Sequence, residues 1–285
     1  MSTPGPSSQH LATLVRLVDD ETPEVRSSVM RELEAYHGDV SDWIDDLPAP
    51  LDPAERRTLG RLLRPARRRR LAEEWVVPTR GLGGLAEDWE AAESLLRAIS
   101  DFLHDGVSLR QPLGDALDLL AEEAEPSFSK GGEAALCRFL LENYLKVDRG
   151  GDLVPRHYDL AALAEGTPGN SLGLGAILLL IGQRLGAQMR GVNFPGTFYL
   201  VIPDAQRGHR TFDPAGGLSP IESDVLARRL MRASPELRSR LRLPFTPGDL
   251  VLRIVEDLEA AFAVHEEMED AELFGRLAES LGPEA

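Results

Sequence analysis

An α+β fold, helical over most of its length, is predicted by three observations. Apolar residues recur at helical spacing through both ends of the chain. Between about residues 189 and 213 the pattern changes to short runs bounded by Pro, Gly and Asp, as strands are. Just before them, Leu172, Leu174 and Ile177 through Ile181 to Leu185 make a segment apolar nearly all round, which predicts a buried central helix.

The bulk properties set outer limits. With 285 residues the chain is long enough for one large domain or two smaller ones, and 42% hydrophobic residues suit a packed core. The net charge of −16 opposes generic binding to nucleic acid or to anionic membrane. A single cysteine, Cys137, excludes an intramolecular disulfide framework and a Cys-rich zinc site. MSTPGPSSQH lacks a basic-plus-apolar leader pattern, and the apolar run Ala176–Ile181 is too short to span a bilayer. A cytoplasmic, reduced location is the expectation.

Residues 1–9 read as a disordered lead. From 10 to 85 the chain reads as paired helices of the kind that stack in HEAT repeats. Leu11, Leu14, Val15 and Leu17 with Val18 stripe the first. Thr22 and Pro23 start the second, which carries Val25, Val29 and Leu33. Residues 53–77 form a further helix with eight arginines, among them Arg67, Arg68, Arg69 and Arg70. The simpler reading is a solvated face paired with acids such as Glu73 and Glu74. The sharper one is a docking patch, for which Arg67 to Arg70 are the candidate binding residues.

A core region spans 86–245. The Gly-rich TRGLGGLAED at 79–88 leads into it. Helices are expected over Trp89–His104, Leu113–Glu123 and Gly132–Tyr144, with Cys137 a small core residue of the last. Thr167-Pro168-Gly169-Asn170 is a turn; Asn170 or Ser171 caps the central helix and Gly186 stops it. Strands follow at Met189–Asn193, Thr197–Ile202 and His209–Asp213. The tail, 246–285, reads as a helix pair of tetratricopeptide type.

A helix start beside strands is a good place for a nucleophile. Its unpaired N–H groups and partial positive charge favour a thiolate and can hold an oxyanion. A serine hydroxyl gains far less and needs an adjacent base, normally His. The Gly173-Leu174-Gly175 string lacks the preceding strand and third glycine of a nucleotide loop, so close packing explains it better. No His or Glu cluster has metal-ligand spacing, and no cofactor is expected.

Several strings together carry a family resemblance: PRHYDLAALAEGTPGNSLGLGAILLLIGQRLG, GVNFPGTFYLV and FDPAGG, with helical regions on either side. The chain resembles the bacterial SirB-type, invasion-regulator-like proteins of the transglutaminase-like (papain-related) superfamily. The resemblance implies a transglutaminase-like core with HEAT-like and tetratricopeptide-like helical ends. In active members a nucleophilic Cys opens the central helix, and His and Asp come from the strands that follow. Matched back from Gly186, the Cys position holds Ser171, the His position holds Thr197, and Asp213 keeps the family's residue type. Ser171 is then read as a helix cap and Thr197 as an ordinary strand residue, since a hydroxyl cannot replace imidazole as a base near neutrality.

The expected function is therefore non-catalytic: binding of a protein or peptide partner. The alternative is a hydrolase or acyl transferase that uses Ser171, Asp213 and a relocated histidine, either His157, fourteen positions before Ser171, or His209, on the return strand. An imidazole within hydrogen-bond reach of the Ser171 hydroxyl separates the two.

Overall fold

The computed structural model describes residues 6–282 except 19, 21, 152, 195, 207, 233 and 242. Residues 1–76 with 101–110 form one compact unit, and residues 77–100 with 111–285 form a second.

The first unit contains α1 (Ser8–Val15), α2 (Pro23–Leu33), α3 (Ser41–Ile44) and α4 (Pro53–Glu74). Its core joins Leu11, Leu14, Val29, Leu33, Tyr36, Leu59 and Leu63, the apolar stripes of the sequence pattern. The helix begins earlier than expected. Ser7 accepts from the His10 amide, so Ser8 and Gln9 are helical and not part of a disordered lead. The rest of that expected lead, residues 1–5, lies outside the described residues. At the start of α4, Asp52 accepts from the Ala54 and Glu55 amides while the Glu55 carboxylate accepts from the Asp52 amide, a reciprocal cap.

Arg67 corrects the expected docking patch. It is 5% exposed, and its guanidinium donates to the backbone carbonyls of Gly60 at 2.8 Å and Phe102 at 3.4 Å. A side chain committed to buried carbonyls is not available to a partner. Arg69 reaches Glu34, and Arg70 reaches Glu74 and Asp101, so these two sit in local ion pairs.

The second unit is built around α8 (Ser171–Leu185). α5 (Trp89–Leu103) contributes its residues up to Ser100, and α6 (Leu113–Asn143) is helical through residues 124–131, where a connection was expected, and breaks only at a kink at Gly132, where the second expected helix begins. The one non-helical residue inside α6 is Gly132, at φ 61° and ψ −155°. The left-handed φ explains the glycine and the kink. Cys137 is fully buried on α6, with Sγ 3.6 Å from Met189 Sδ, and desolvation pushes its thiol up to about 12. That is a structural sulfur, not a nucleophile.

Two sheets frame α8. β1 (Lys146–Val147) and β2 (Pro168–Gly169) form a short parallel pair that precedes it. β3 (Arg190–Phe194), β4 (Thr197–Asp204) and β5 (Gly208–Phe212) form an antiparallel meander after it. Phe194 pairs with Thr197, and Gly196 before Thr197 has φ 73°; Pro195 of the GVNFPG string lies outside the described residues. α7 (Leu160–Ala164), α9 (Ser223–Arg232), α10 (Pro235–Arg240), α11 (Pro247–Val264) and α12 (Met268–Ser280) complete the unit.

Helix α8 is buried from Leu172 through Gly182. Its glycines are contact points. A Cβ at Gly173 would lie 2.1 Å from the His157 carbonyl oxygen, one at Gly175 would lie 2.5 Å from the Phe198 ring, and one at Gly182 would lie 2.0 Å from the Met189 methyl. Close packing is thus what the GLG string supplies. An ion-pair clamp holds the helix's other end: Arg184 bonds Glu93 twice, at 2.6 and 2.7 Å, and Asp118 at 2.7 Å. No helix among the described residues is long and apolar enough to cross a membrane.

Candidate functional site

The N-terminal turn of α8 gathers most of the candidate residues. Asn170 caps it, accepting from the Gly173 amide at 2.9 Å. Ser171 is the first helical residue and not the cap. Its hydroxyl is therefore free to point elsewhere, and it donates to Asp213 Oδ1 at 2.5 Å. The same oxygen accepts from the Ala215 amide at 2.9 Å, because Asp213 caps the short 3-10 turn Pro214–Gly216. Pro214 packs near Gly175, so the turn that aims Asp213 rests on α8 itself. A carboxylate at a helix N-terminus is electrostatically favoured. Here it occupies the place where a thiolate or oxyanion would gain from the same field.

Thr197 takes part in neither bond. Strand alternation sets its side chain on the face of Tyr199 and Val201, while Phe198, on the opposite face, packs against Gly175 of α8. Arg229 of α9 bonds the Tyr199 hydroxyl from that other side.

Neither candidate histidine reaches Ser171. His209 pairs with Pro203 at the far end of the β4–β5 hairpin, four positions from Asp213, about 13 Å along a strand. It is exposed and borders a shallow polar cavity of about 270 Å³ with Asp204, Thr211 and Leu226. His157 is closer to the helix start and is 2% exposed, in the 3-10 turn Pro155–Tyr158. Its backbone carbonyl sits against Gly173, but its ring is turned to Asp148, with Nε2 2.9 Å from Oδ2. Its Nδ1 is buried with no partner among the described residues. Asp148 also accepts from the Gly150 amide at 2.8 Å and from Arg156 at 2.7 Å. The bond to His157 foremost, with those two, holds its carboxyl well below the usual range. The Asp148 amide in turn donates to the Gly169 carbonyl at 2.9 Å, tying the pair to β2 just ahead of α8.

Further polar residues behind the cap were not singled out from sequence. Asn170 Nδ2 donates to the Tyr158 hydroxyl at 3.1 Å, and that hydroxyl donates to Asp257 of α11, also at 3.1 Å. Arg253 bonds Asp257 at 2.8 Å and Asn193 of β3 at 2.6 Å. Burial, then the Asp257 charge, push the Tyr158 phenol well above its ordinary value, so it serves as a fixed neutral donor. The chain of bonds fixes the orientation of the α8 cap against α11 and the sheet. Asn193, inside the GVNFPG string, and Tyr158 and Asn170, inside the PRHYDLAALAEGTPGN string, were the sequence signals for it. Among the described residues no group of three or more His, Cys, Asp or Glu could hold a metal ion.

Chemically, then, this helix start can hold a hydroxyl and a carboxylate in a fixed hydrogen bond. It brings no imidazole to either. A serine hydroxyl with no adjacent general base is not an activated nucleophile.

Comparison with known proteins finds similar bacterial chains. A UPF0162 protein of Pseudomonas aeruginosa is 28% identical over 173 residues, which cover 60% of this chain and 61% of that protein. UPF0162 proteins of two Xylella fastidiosa strains are 29% identical over 115 residues, 38% of this chain and 41% of theirs. The chain thus spans about three fifths, or two fifths, of the length of these relatives. No solved structure matches it. Residues 112–256, just over half of the chain, match the transglutaminase-like superfamily, and they contain α8, the three-stranded sheet, Ser171, Thr197 and Asp213. With that match and this geometry, the chain belongs to the transglutaminase-like superfamily.

Proposed function

We propose that this chain is a non-catalytic, SirB-type member of the superfamily that works by binding a protein or peptide partner in the cytoplasm. The observation that carries this reading is the bond from Ser171 to Asp213. The hydroxyl is donated to a carboxylate, and the nearest candidate imidazole, His157, is engaged with Asp148. A serine hydroxyl with no imidazole to take its proton is not an activated nucleophile.

The arrangement on either side suits an interaction role. Residues 10–85 act as a HEAT-like helical region, 86–245 as the transglutaminase-like core, and 246–285 as a tetratricopeptide-like helical tail. Helical repeats present extended surfaces for partners. No cofactor enters this reading.

A serine-directed acylating probe tests it. Intact mass measured after incubation should show no adduct at Ser171, with Ser171→Ala as the reference. Stoichiometric labelling of Ser171 that disappears in His157→Ala would overturn the reading in favour of a hydrolase or acyl transferase with a relocated base.

A further inference from the structure

In the second unit, α5 and the last turns of α8 border two open clefts of about 560 and 740 Å³. Trp89, Glu90 and Gln183 line both, so the clefts meet as one groove. Helical spacing explains its walls. Trp89, Glu93 and Arg97 recur every four residues on α5, with Glu90 and Ser94 beside them. Leu180, Gln183 and Arg184 share one face of α8. The segment before α5 closes one end with Glu87 and Asp88.

The charges of the groove do not all cancel. Arg184 pairs with Glu93 and Asp118, which neutralises those two carboxylates. Asp88 accepts from the Ala91 amide at 2.9 Å and has no ion pair among the described residues. The side chains of Glu87, Glu90 and Gln183 are exposed and have neither a hydrogen bond nor an ion pair among the described residues. Helix α8 also ends here, at Gly186, and the carbonyls of a helix C-terminus add partial negative charge.

Trp89 is half-buried, which leaves part of its ring to the groove. An indole beside unneutralised carboxylates suits a cation, because the ring attracts it and a carboxylate pairs with it. The Gln183 amide offers a donor and an acceptor together, which matches the two polar groups of a peptide unit.

We propose that this groove binds a basic peptide segment of a partner protein, with a Lys or Arg side chain seated on Trp89 beside Glu90 and Glu87. Gln183 holds the backbone of the segment. Charge complementarity selects this occupant: an acidic segment would meet Glu87, Asp88 and Glu90, which no guanidinium neutralises among the described residues. The net charge of −16 steers the same kind of partner toward the molecule from a distance. The proposal rests on the binding role above for its purpose, but not on the state of Ser171. Gln183 lies twelve positions after Ser171 on α8, about 18 Å of helix. Labelling of Ser171 would end the non-catalytic reading and leave the groove standing.

Fluorescence anisotropy of a labelled peptide of alternating Ala and Arg, titrated with the full chain, tests this. The same peptide with Glu for Arg is the control and should not bind. Glu90→Arg, at an exposed position, should weaken binding of the Arg peptide about tenfold, and Trp89→Ala by a similar factor. Trp89→Phe keeps an aromatic ring and should recover most of that loss. Glu272→Arg makes the same change of net charge on an exposed position of α12 that lines neither cleft, and should leave the affinity within about twofold. Binding that Glu90→Arg and Trp89→Ala weaken no more than Glu272→Arg does would overturn the proposal, since net charge alone would then account for it. Equal binding of the Arg and Glu peptides overturns it too, as does failure of the Arg peptide to bind up to about 1 mM protein.

Discussion

Two carboxylates flank the start of α8, and they hold different partners. Asp213, from the sheet side, accepts the Ser171 hydroxyl. Asp148, from the side of the short parallel pair, holds the His157 imidazole. An acyl-transfer site needs hydroxyl or thiol, imidazole and carboxylate in one line. Here a hydroxyl, an imidazole and two carboxylates lie at one end of a helix, sorted into two separate pairs. The difference teaches that the residue types present around a helix start do not define a reactive site; their pairing does. Asp213 meets the first residue of the helix directly, with no imidazole between them among the described residues.

The comparison breaks most sharply at the contact that keeps the pairs apart. Gly173→Ala would drive a methyl into the His157 carbonyl, a backbone atom that cannot swing away. It should cost about 3 kcal/mol, read from the urea midpoint, because overpacking against backbone relaxes poorly. A neutral result would mean that the 155–158 turn is not seated on the helix.

Asp213→Ala comes next. It strips the acceptor from both the Ser171 hydroxyl and the Ala215 amide, and should cost about 2 kcal/mol. Ser171→Ala should cost less, about 1 kcal/mol, since Asp213 keeps the Ala215 amide. Equal losses for the two would show that Asp213 acts on the fold only through Ser171.

The other pair is distinguished by pH. The Asp148 carboxyl is depressed in the folded state, so its contribution is fully present above its unfolded value, about 3.9. The contribution is lost as pH falls below that value toward the folded one. Thermal midpoints followed from pH 6 down to pH 2 should fall for the wild type, and more gently for Asp148→Asn. Parallel curves would remove Asp148 from the account of this site.

Much of the frame was legible in the sequence, and the reasons are local. Asn170 and Gly186 bound α8 by capping chemistry, and the apolar run between them has no polar face. The three strands came from Pro, Gly and Asp punctuation within one or two residues of their ends. Arg67 was misread because charge was counted without direction. It lies four positions after Leu63 and seven after Gly60, on the buried stripe of α4, so helical spacing did contain the answer. The Asp148–His157 pair had no such signal. It depends on β1 and β2, strands of two residues each, too short for periodicity to register. The Arg253–Asn193 bond joins residues sixty positions apart and is set by how α11 packs.

The burial of α8 on all sides also bears on how the molecule opens. Amides of Leu174 to Ile181 lie in the part of the fold least exposed to solvent, so their hydrogens should exchange through global unfolding and not through local fraying. A partner that needs room beside Ser171 must therefore gain it from the turns at 155–158 and 214–216, which rest on the helix, while α8 stays a fixed post around which they shift.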